Sequence, residues 1–478
     1  MKCLQESPRH APVEPMNIAL IVVCVGAVTF LIRFLLAMVR ELMSPKRAAF
    51  KAYMAKHFPA RRRAEIVVMA DPSAQKVAKP PRGPVAMGLL LLVVLGHPVH
   101  GQQTSDIPKA GATNEATPPP AASPLPTPSM IGPLQAAPPI EFDAGPLGKL
   151  FVDGIVSGMG LWQSNHVPGD DIGRATLSNG QIWIQKTSGW WQFYVQAGAY
   201  NILSLGAAFL ATDKAVSDLY GPVPVAFVKF VPGKNTSIFV GALPTLIGAE
   251  YTFDFENMNI ERGLLWNQEN AVNRGIQVTQ TFGKFTASIS WNDGYYSNRY
   301  SWLSGSLAYT KGPHSLSFIG MGNLGQTARQ TLVTPIQNNG SMYAAIYTYT
   351  KGSWIVQPYY QYGSVPTNPT VGVARGASTN GGALLLSRAY KHGFSLAGRG
   401  EYITSSGSSV DDSVNLMYGP GSSAYSVTVT PVYQQSRFFT RGEMSFVRAR
   451  NITPGNAFGA SGTSKNQPRA VIEIGFLF

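Results

Sequence analysis

The chain has 478 residues, of which 45% are hydrophobic, 11% aromatic and only 13% charged, about half the charged share of an ordinary soluble domain. With Gly 49 and Pro 35, this is strand-and-turn usage with an exterior facing something other than water, which argues against a soluble multidomain enzyme and against a disordered chain. The formal charge of +13 is uneven: residues 1–101 hold 14 Lys/Arg against 5 Asp/Glu, and residues 141–478 hold 23 against 18, so the basicity is mostly in the leader and nucleic-acid binding has no support.

Two apolar stretches lie near the start. Asn17 to Val39 is about long enough to cross a bilayer, although Arg33 interrupts it. Met87 to Gly96, with Lys76, Lys79 and Arg82 before it and the small Gly101 after it, reads as a secretory signal peptide over 69–101 cleaved before Gln102. Residues 1–68 are then either a mis-assigned start, with Met69 the true one, or an N-terminal membrane anchor. Both cysteines, Cys3 and Cys24, fall in this leader, so the rest can hold neither a disulfide framework nor a thiolate metal site. Residues 102–147 are rich in Pro and Ala and predict a disordered linker.

From Gly148 to Phe478 the chain alternates apolar and polar residues in segments of roughly ten, the period of a strand with two different faces. In 285–292, Phe285, Ala287, Ile289 and Trp291 oppose Thr286, Ser288, Ser290 and Asn292. In 425–433, Tyr425, Val427, Val429, Pro431 and Tyr433 oppose Ser426, Thr428 and Thr430. Short turns near 186–190, 231–235, 281–285, 309–313, 349–353, 390–394 and 434–437 alternate with long polar loops near 163–176, 203–221, 246–270, 293–299, 324–340, 364–378, 405–422 and 450–467. Eight loops and seven turns require sixteen strands. A strand over Asp412–Tyr418 would make the number odd, so that stretch is assigned to loop. The predicted fold is all-β: a transmembrane antiparallel barrel of about 16 strands, with short periplasmic turns and long extracellular loops, wide enough for a water-filled channel.

The last strand sets Ile472, Ile474, Phe476 and Phe478 against Val471, Glu473, Gly475 and Leu477. Phe476 and the terminal Phe478 form the signal read by the bacterial barrel-assembly machinery. The stretches GALPTLIGAE (241–250), NMNIERGLLW (257–266), YQQSRFFTRGEMSF (433–446) and IGFLF (474–478) make the chain resemble the OmpL-like beta-barrel porin family of Gram-negative bacteria, over roughly Gly148 to Phe478. The resemblance implies an outer-membrane barrel with pore function and supplies no ligand.

Charges on polar strand faces are the candidate pore lining: Arg399 and Glu401, then Arg437, Arg441 and Glu443. A lipid-facing charge would cost a few kcal/mol at mid-depth, which places them inward, where they would either set ion preference or brace the wall as mutually neutralising pairs. Arginines exceed glutamates by one in this set, which predicts a mild anion preference. The long loop 246–270 carries Glu269 and five constriction candidates, Glu250, Asp254, Glu256, Glu261 and Arg262. It either folds inward as a constriction or stays outside with its acids solvated or binding divalent ions. GMGNLG at 320–325 lacks the helix and the later acid of a dinucleotide site. His166 beside Ser164, Asp170 and Asp171 is the one setting for a hydrolase. The function expected is passive diffusion of small hydrophilic solutes, with no catalytic residue, cofactor or metal, the lipid bilayer and the assembly machinery as partners, and a homotrimer as the assembly. The alternatives are a structural or adhesive barrel without an open pore and, last, an outer-membrane hydrolase.

Overall fold

A computed structural model describes residues 128–326 and 336–478. The leader features, the signal peptide and residues 102–127 of the expected linker lie outside the described residues.

Seventeen strands occur among the described residues. They are β1 (Ile140–Asp143), β2 (Lys149–Gln163), β3 (Gly173–Lys186), β4 (Trp191–Tyr200), β5 (Val225–Gly233) and β6 (Thr236–Pro244). Next come β7 (Val272–Phe282), β8 (Phe285–Asn292), β9 (Trp302–Lys311), β10 (His314–Asn323), β11 (Ser341–Lys351) and β12 (Trp354–Val365). The last are β13 (Ala377–Ala389), β14 (Phe394–Ser405), β15 (Ser423–Gln435), β16 (Phe438–Arg450) and β17 (Asn466–Leu477). From β2 to β17 each strand pairs antiparallel with the next, and β17 returns to β2 with Glu473 opposite Met159 and Leu477 opposite Ile155. The result is a closed sixteen-stranded barrel, all-β as expected, with no free edge to template aggregation. Residues 412–418 hold no strand, in keeping with the even count.

Alternation gives each strand its two faces. In β8 the exposed Phe285 and Trp291 oppose the buried Ser288, Ser290 and Asn292, and in β15 the exposed Val427 and Val429 oppose Ser426, Thr428 and Thr430. The short-turn rim follows from turn chemistry. Gly283, Gly312 and Gly352 open two-residue connections at φ 62, 57 and 58, the positive φ that a type II′ hairpin turn needs at its first position and that glycine adopts without strain.

Two departures from the expected layout matter for the interior. The stretch read as linker ends earlier than 147: Ile140–Asp143 pairs with the foot of β2, and Leu134 is fully buried in an apolar cluster with Ile155, Val432, Phe439 and Leu477. Isoleucine and leucine among the prolines supply apolar area that the Pro/Ala average concealed. The second is that the connection 201–224 turns into the barrel instead of standing on it, and with it 245–271 takes the inward of the two courses open to it. They meet in a parallel bridge between Ser204 and Arg262, closed by Arg262 N donating to Leu203 O at 3.0 Å and Leu205 N donating to Arg262 O at 2.9 Å.

Candidate functional site

The inward-folded segment 245–271 is held by the polar inner wall. Carboxylates on the wall capture its backbone N–H groups. Glu443 accepts from Ile260 N at 2.6 Å and Glu261 N at 3.0 Å, and Glu401 accepts from Leu264 N at 3.1 Å and Leu265 N at 3.4 Å. Arginines on the wall take its carbonyls and acids. Arg399 pairs with Glu250 at 2.5 Å and donates to Glu261 O at 2.7 Å. Arg469 pairs with Glu261 at 2.9 Å and donates to Ser204 O at 2.8 Å, so it ties both inward segments. Arg441 binds Glu473 through two nitrogens, Nε at 2.9 Å, and donates to Asp254 O at 3.2 Å. Asp254 also accepts from Asn179 Nδ2 on β3 at 2.7 Å. Gly263 leaves room for the Glu401 carboxylate, whose Oε1 would have to move away from a Cβ there. Aromatic packing completes the seat: Phe255 stacks on Trp183 at 5.6 Å between centroids, and Phe253 meets Tyr200 edge-on at 5.3 Å.

Of the pore-lining candidates, Arg399, Glu401, Arg441 and Glu443 are buried and inward. Arg437 is not: β15 ends at Gln435, and Arg437 sits exposed in the two-residue turn before β16, where its carbonyl accepts from Leu477 N at 2.8 Å. The inward parity of β16 does not extend to Arg437, one residue before that strand begins. The Arg–Glu neighbours also pair differently than sequence proximity suggests. Arg399 does reach Glu401, with Nε 3.2 Å from Oε2 at an angle too poor for a hydrogen bond, but Arg441 pairs with Glu473 across β16 and β17 rather than with Glu443. The sequence does not single out Glu473, Arg469 and Asn179 as lining residues. The first two share the parity of Val471 and Leu477, a signal present in the sequence, but their partners become visible only once β17 closes on β2.

All five loop candidates lie inside the barrel, and Glu250, Asp254, Glu256, Glu261 and Arg262 are buried. Arg262 is the exception to the pairing. Its guanidinium lies 5.4 Å from the Trp266 ring centroid, and its Nε, Nη1 and Nη2 have no hydrogen-bond partner among the described residues. The central cluster thus sets the carboxyls of Glu250, Asp254, Glu256, Glu261, Glu269, Glu401, Glu443 and Glu473 against the guanidinium groups of Arg262, Arg399, Arg441 and Arg469, an acidic excess. Glu256 and Glu269 belong to the connecting segment, not to a spanning strand. Burial pushes each up to about 8, opposed at Glu256 by N–H donation from Phe253 and Ser129 and at Glu269 by the Tyr359 hydroxyl.

The remaining motifs acquire ordinary roles. Gly320 and Gly322 sit within β10, and Gly325 just after it. Asp170 is engaged by Gln163 Nε2 at 2.8 Å and Phe209 N at 2.9 Å, and His166 Nδ1 bonds Val167 O at 2.9 Å. Among the described residues no group of three or more His, Cys, Asp or Glu is placed to hold a metal ion. At the chain end, Phe476 is exposed on the outer face, and Phe478 N and O bond Gly154 O and N at 2.9 and 2.7 Å.

Several solved structures of outer-membrane proteins are similar to the chain. The outer-membrane channel DcaP of Acinetobacter baumannii matches at TM-score 0.48 and 11% identity, over 71% of this chain and 100% of that one. Salmonella typhi OmpF in complex with daunomycin matches at 0.47 and 12%, over 71% and 100%, and the outer-membrane OmpT of Vibrio cholerae at 0.45 and 12%, over 71% and 100%. At such values these likenesses add nothing to the fold that strand pairing already establishes. No curated protein sequence matched. A family model does: "Putative beta-barrel porin-2, OmpL-like" matches residues 149–478, the whole of the barrel. The chain therefore belongs to the OmpL-like beta-barrel porin family and is a barrel of the bacterial outer membrane.

Proposed function

We propose that the protein is a porin for passive diffusion of small hydrophilic solutes through a lumen narrowed by residues 245–271. The observation that carries this reading is the inward-folded segment itself, seated by charged side chains on three strands, β14, β16 and β17, in the middle of a polar-walled barrel. Such a constriction sieves by width and by field, because a low-dielectric wall focuses the potential of the charges it bears. The expected anion preference counted Arg437, which sits in a turn, and left out Glu473 and the acids of the loop. Eight carboxyls face four guanidinium groups at the constriction; Glu256 and Glu269 are largely protonated near neutral pH, but the other six still outnumber the arginines, and we infer a preference for cations, weakening at high salt as the Debye length shrinks. A homotrimer is proposed as the assembly. A Vibrio cholerae OmpT structure is described as a trimer form, and cross-linking in native membranes reads the copy number here.

A structural or adhesive barrel is the second reading. It is favoured by the burial of inward side chains away from the loop's charged anchors, such as Gln277, Ser290 and Ser317. Planar-bilayer recording across a salt gradient separates the two. Unitary steps with a cation-directed reversal potential are the result expected. Folded protein that shows no steps would overturn the porin reading, and an anion-directed potential would overturn the selectivity.

A further inference from the structure

Residues 128–139 run down the inside of the barrel, from the constriction to the short-turn rim, where β1 pairs with β2. At the upper end Ser129 N donates to Glu256 Oε1 at 3.0 Å and Ile131 N donates to Glu256 O at 3.2 Å. Gly132 lies so close to Asn257 that a Cβ would overlap its carbonyl. Lower down, Leu134 is fully buried in the cluster of inward residues from β15, β16 and β17. Gln135 N then donates to Gln434 Oε1 at 2.8 Å, and Gln434 Nε2 donates back to Gln135 O at 2.8 Å. The segment therefore touches two things at once, the wall beneath the constriction and the constriction segment itself.

We propose that residues 128–139 are a built-in periplasmic plug that occupies the passage below the constriction and holds residues 245–271 in their seated position. The proposal rests on the porin reading and adds to it a chain segment that controls the conducting state. Its anchorage is small: a few backbone hydrogen bonds, one glutamine clasp and the side chains of Leu134 and Met130, against a barrel whose every strand is paired on both sides. The plug can therefore leave while the barrel stays folded, since local opening draws on the least anchored elements. Leaving removes both the steric block and the two N–H and one close-packing contact on residues 256–257.

The test uses the full chain in planar bilayers, with heat-modifiable gel mobility confirming a folded barrel in each variant. Replacement of residues 128–139 by a Gly/Ser stretch of equal length, and separately Leu134→Asp, should each raise unitary conductance at least twofold. Gln135→Cys with Gln434→Cys should cross-link on oxidation in outer-membrane vesicles and hold conductance at the wild-type level or below. If the wild type conducts and both plug variants match it, the plug is overturned and the porin reading stands. Failure of the cysteine pair to cross-link also overturns the plug, whatever the conductance. If no form conducts although the pair cross-links, the porin reading fails and the segment is only a strap.

Discussion

Arg437 and Arg441 are four residues apart and carry the same charge, yet they have opposite structural weight. Arg437 is solvent-exposed in a turn, so Arg437→Gln should change stability by no more than about 0.5 kcal/mol and leave the reversal potential unmoved. Arg441 is fully buried against Glu473, and Arg441→Gln strands that carboxylate, a loss of about 3–5 kcal/mol when one partner of a buried pair is removed. Urea unfolding in lipid vesicles compares the two, and equal midpoints would refute the distinction. Arg399, Glu401, Arg441 and Glu443 were legible as inward because strand parity is local and survives any tertiary detail. Their partners were not, because Glu473, Glu250 and Asp254 reach them through barrel closure and loop folding, at sequence separations of 32, 149 and 187 residues. Arg437 was misread at the one place where parity stops meaning anything, the two residues of a hairpin turn.

Strands and short turns were readable because their chemistry is local: period-two alternation, Lys–Gly turns, and an even count that kept 412–418 out of the sheet. The direction taken by residues 245–271 was open, since acidic residues suit an external loop as well as an internal one. The structure resolves it through backbone satisfaction: the N–H groups of Ile260, Glu261, Gly263, Leu264 and Leu265 find wall or loop carboxylates and that of Arg262 finds Leu203 O, so water is not needed to replace them. Those buried acids make the seat pH-sensitive. Glu256 and Glu269 titrate at about 8 when seated, above the ordinary 4.5 of a glutamate. Between those values the seated form holds more protons than a released one. The stabilisation is therefore complete below about pH 4.5, declines as pH rises, and is lost above about 8. Hydrogen-exchange protection at residues 260–265, corrected for intrinsic rates, should fall between pH 6 and pH 9, and the Glu256→Gln, Glu269→Gln double variant should flatten the change. Equal protection of the wild type at both pH values would show that these acids do not control the seat.

At the scale of the molecule the outer surface is itself a prediction about its surroundings. Exposed aromatics gather near both ends of the strands: Trp190, Trp354, Phe394 and Phe476 toward the short-turn rim, and Trp162, Trp291 and Tyr402 toward the long-loop rim. Between them the exposed residues are mostly aliphatic, among them Leu384, Val427, Ile472 and Ile474. That is the profile of a barrel set in a bilayer, with amphipathic rings at the two interfaces and hydrocarbon against hydrocarbon between. It also explains a composition so poor in charge, since the polar residues are spent on the lumen and the rims. Leu384 lies near the middle of β13, opposite Gly400 and Pro358, with its side chain outward. Leu384→Arg should therefore cost about 2–4 kcal/mol in a lipid vesicle, whereas Phe394→Arg at the rim should cost only about 0–1 from the charge itself. The same two variants compared in detergent, where micelles deform around a charge, should differ by less. Equal penalties at both depths in vesicles would mean that β13 does not face lipid, and the orientation of the whole barrel wall would have to be redrawn.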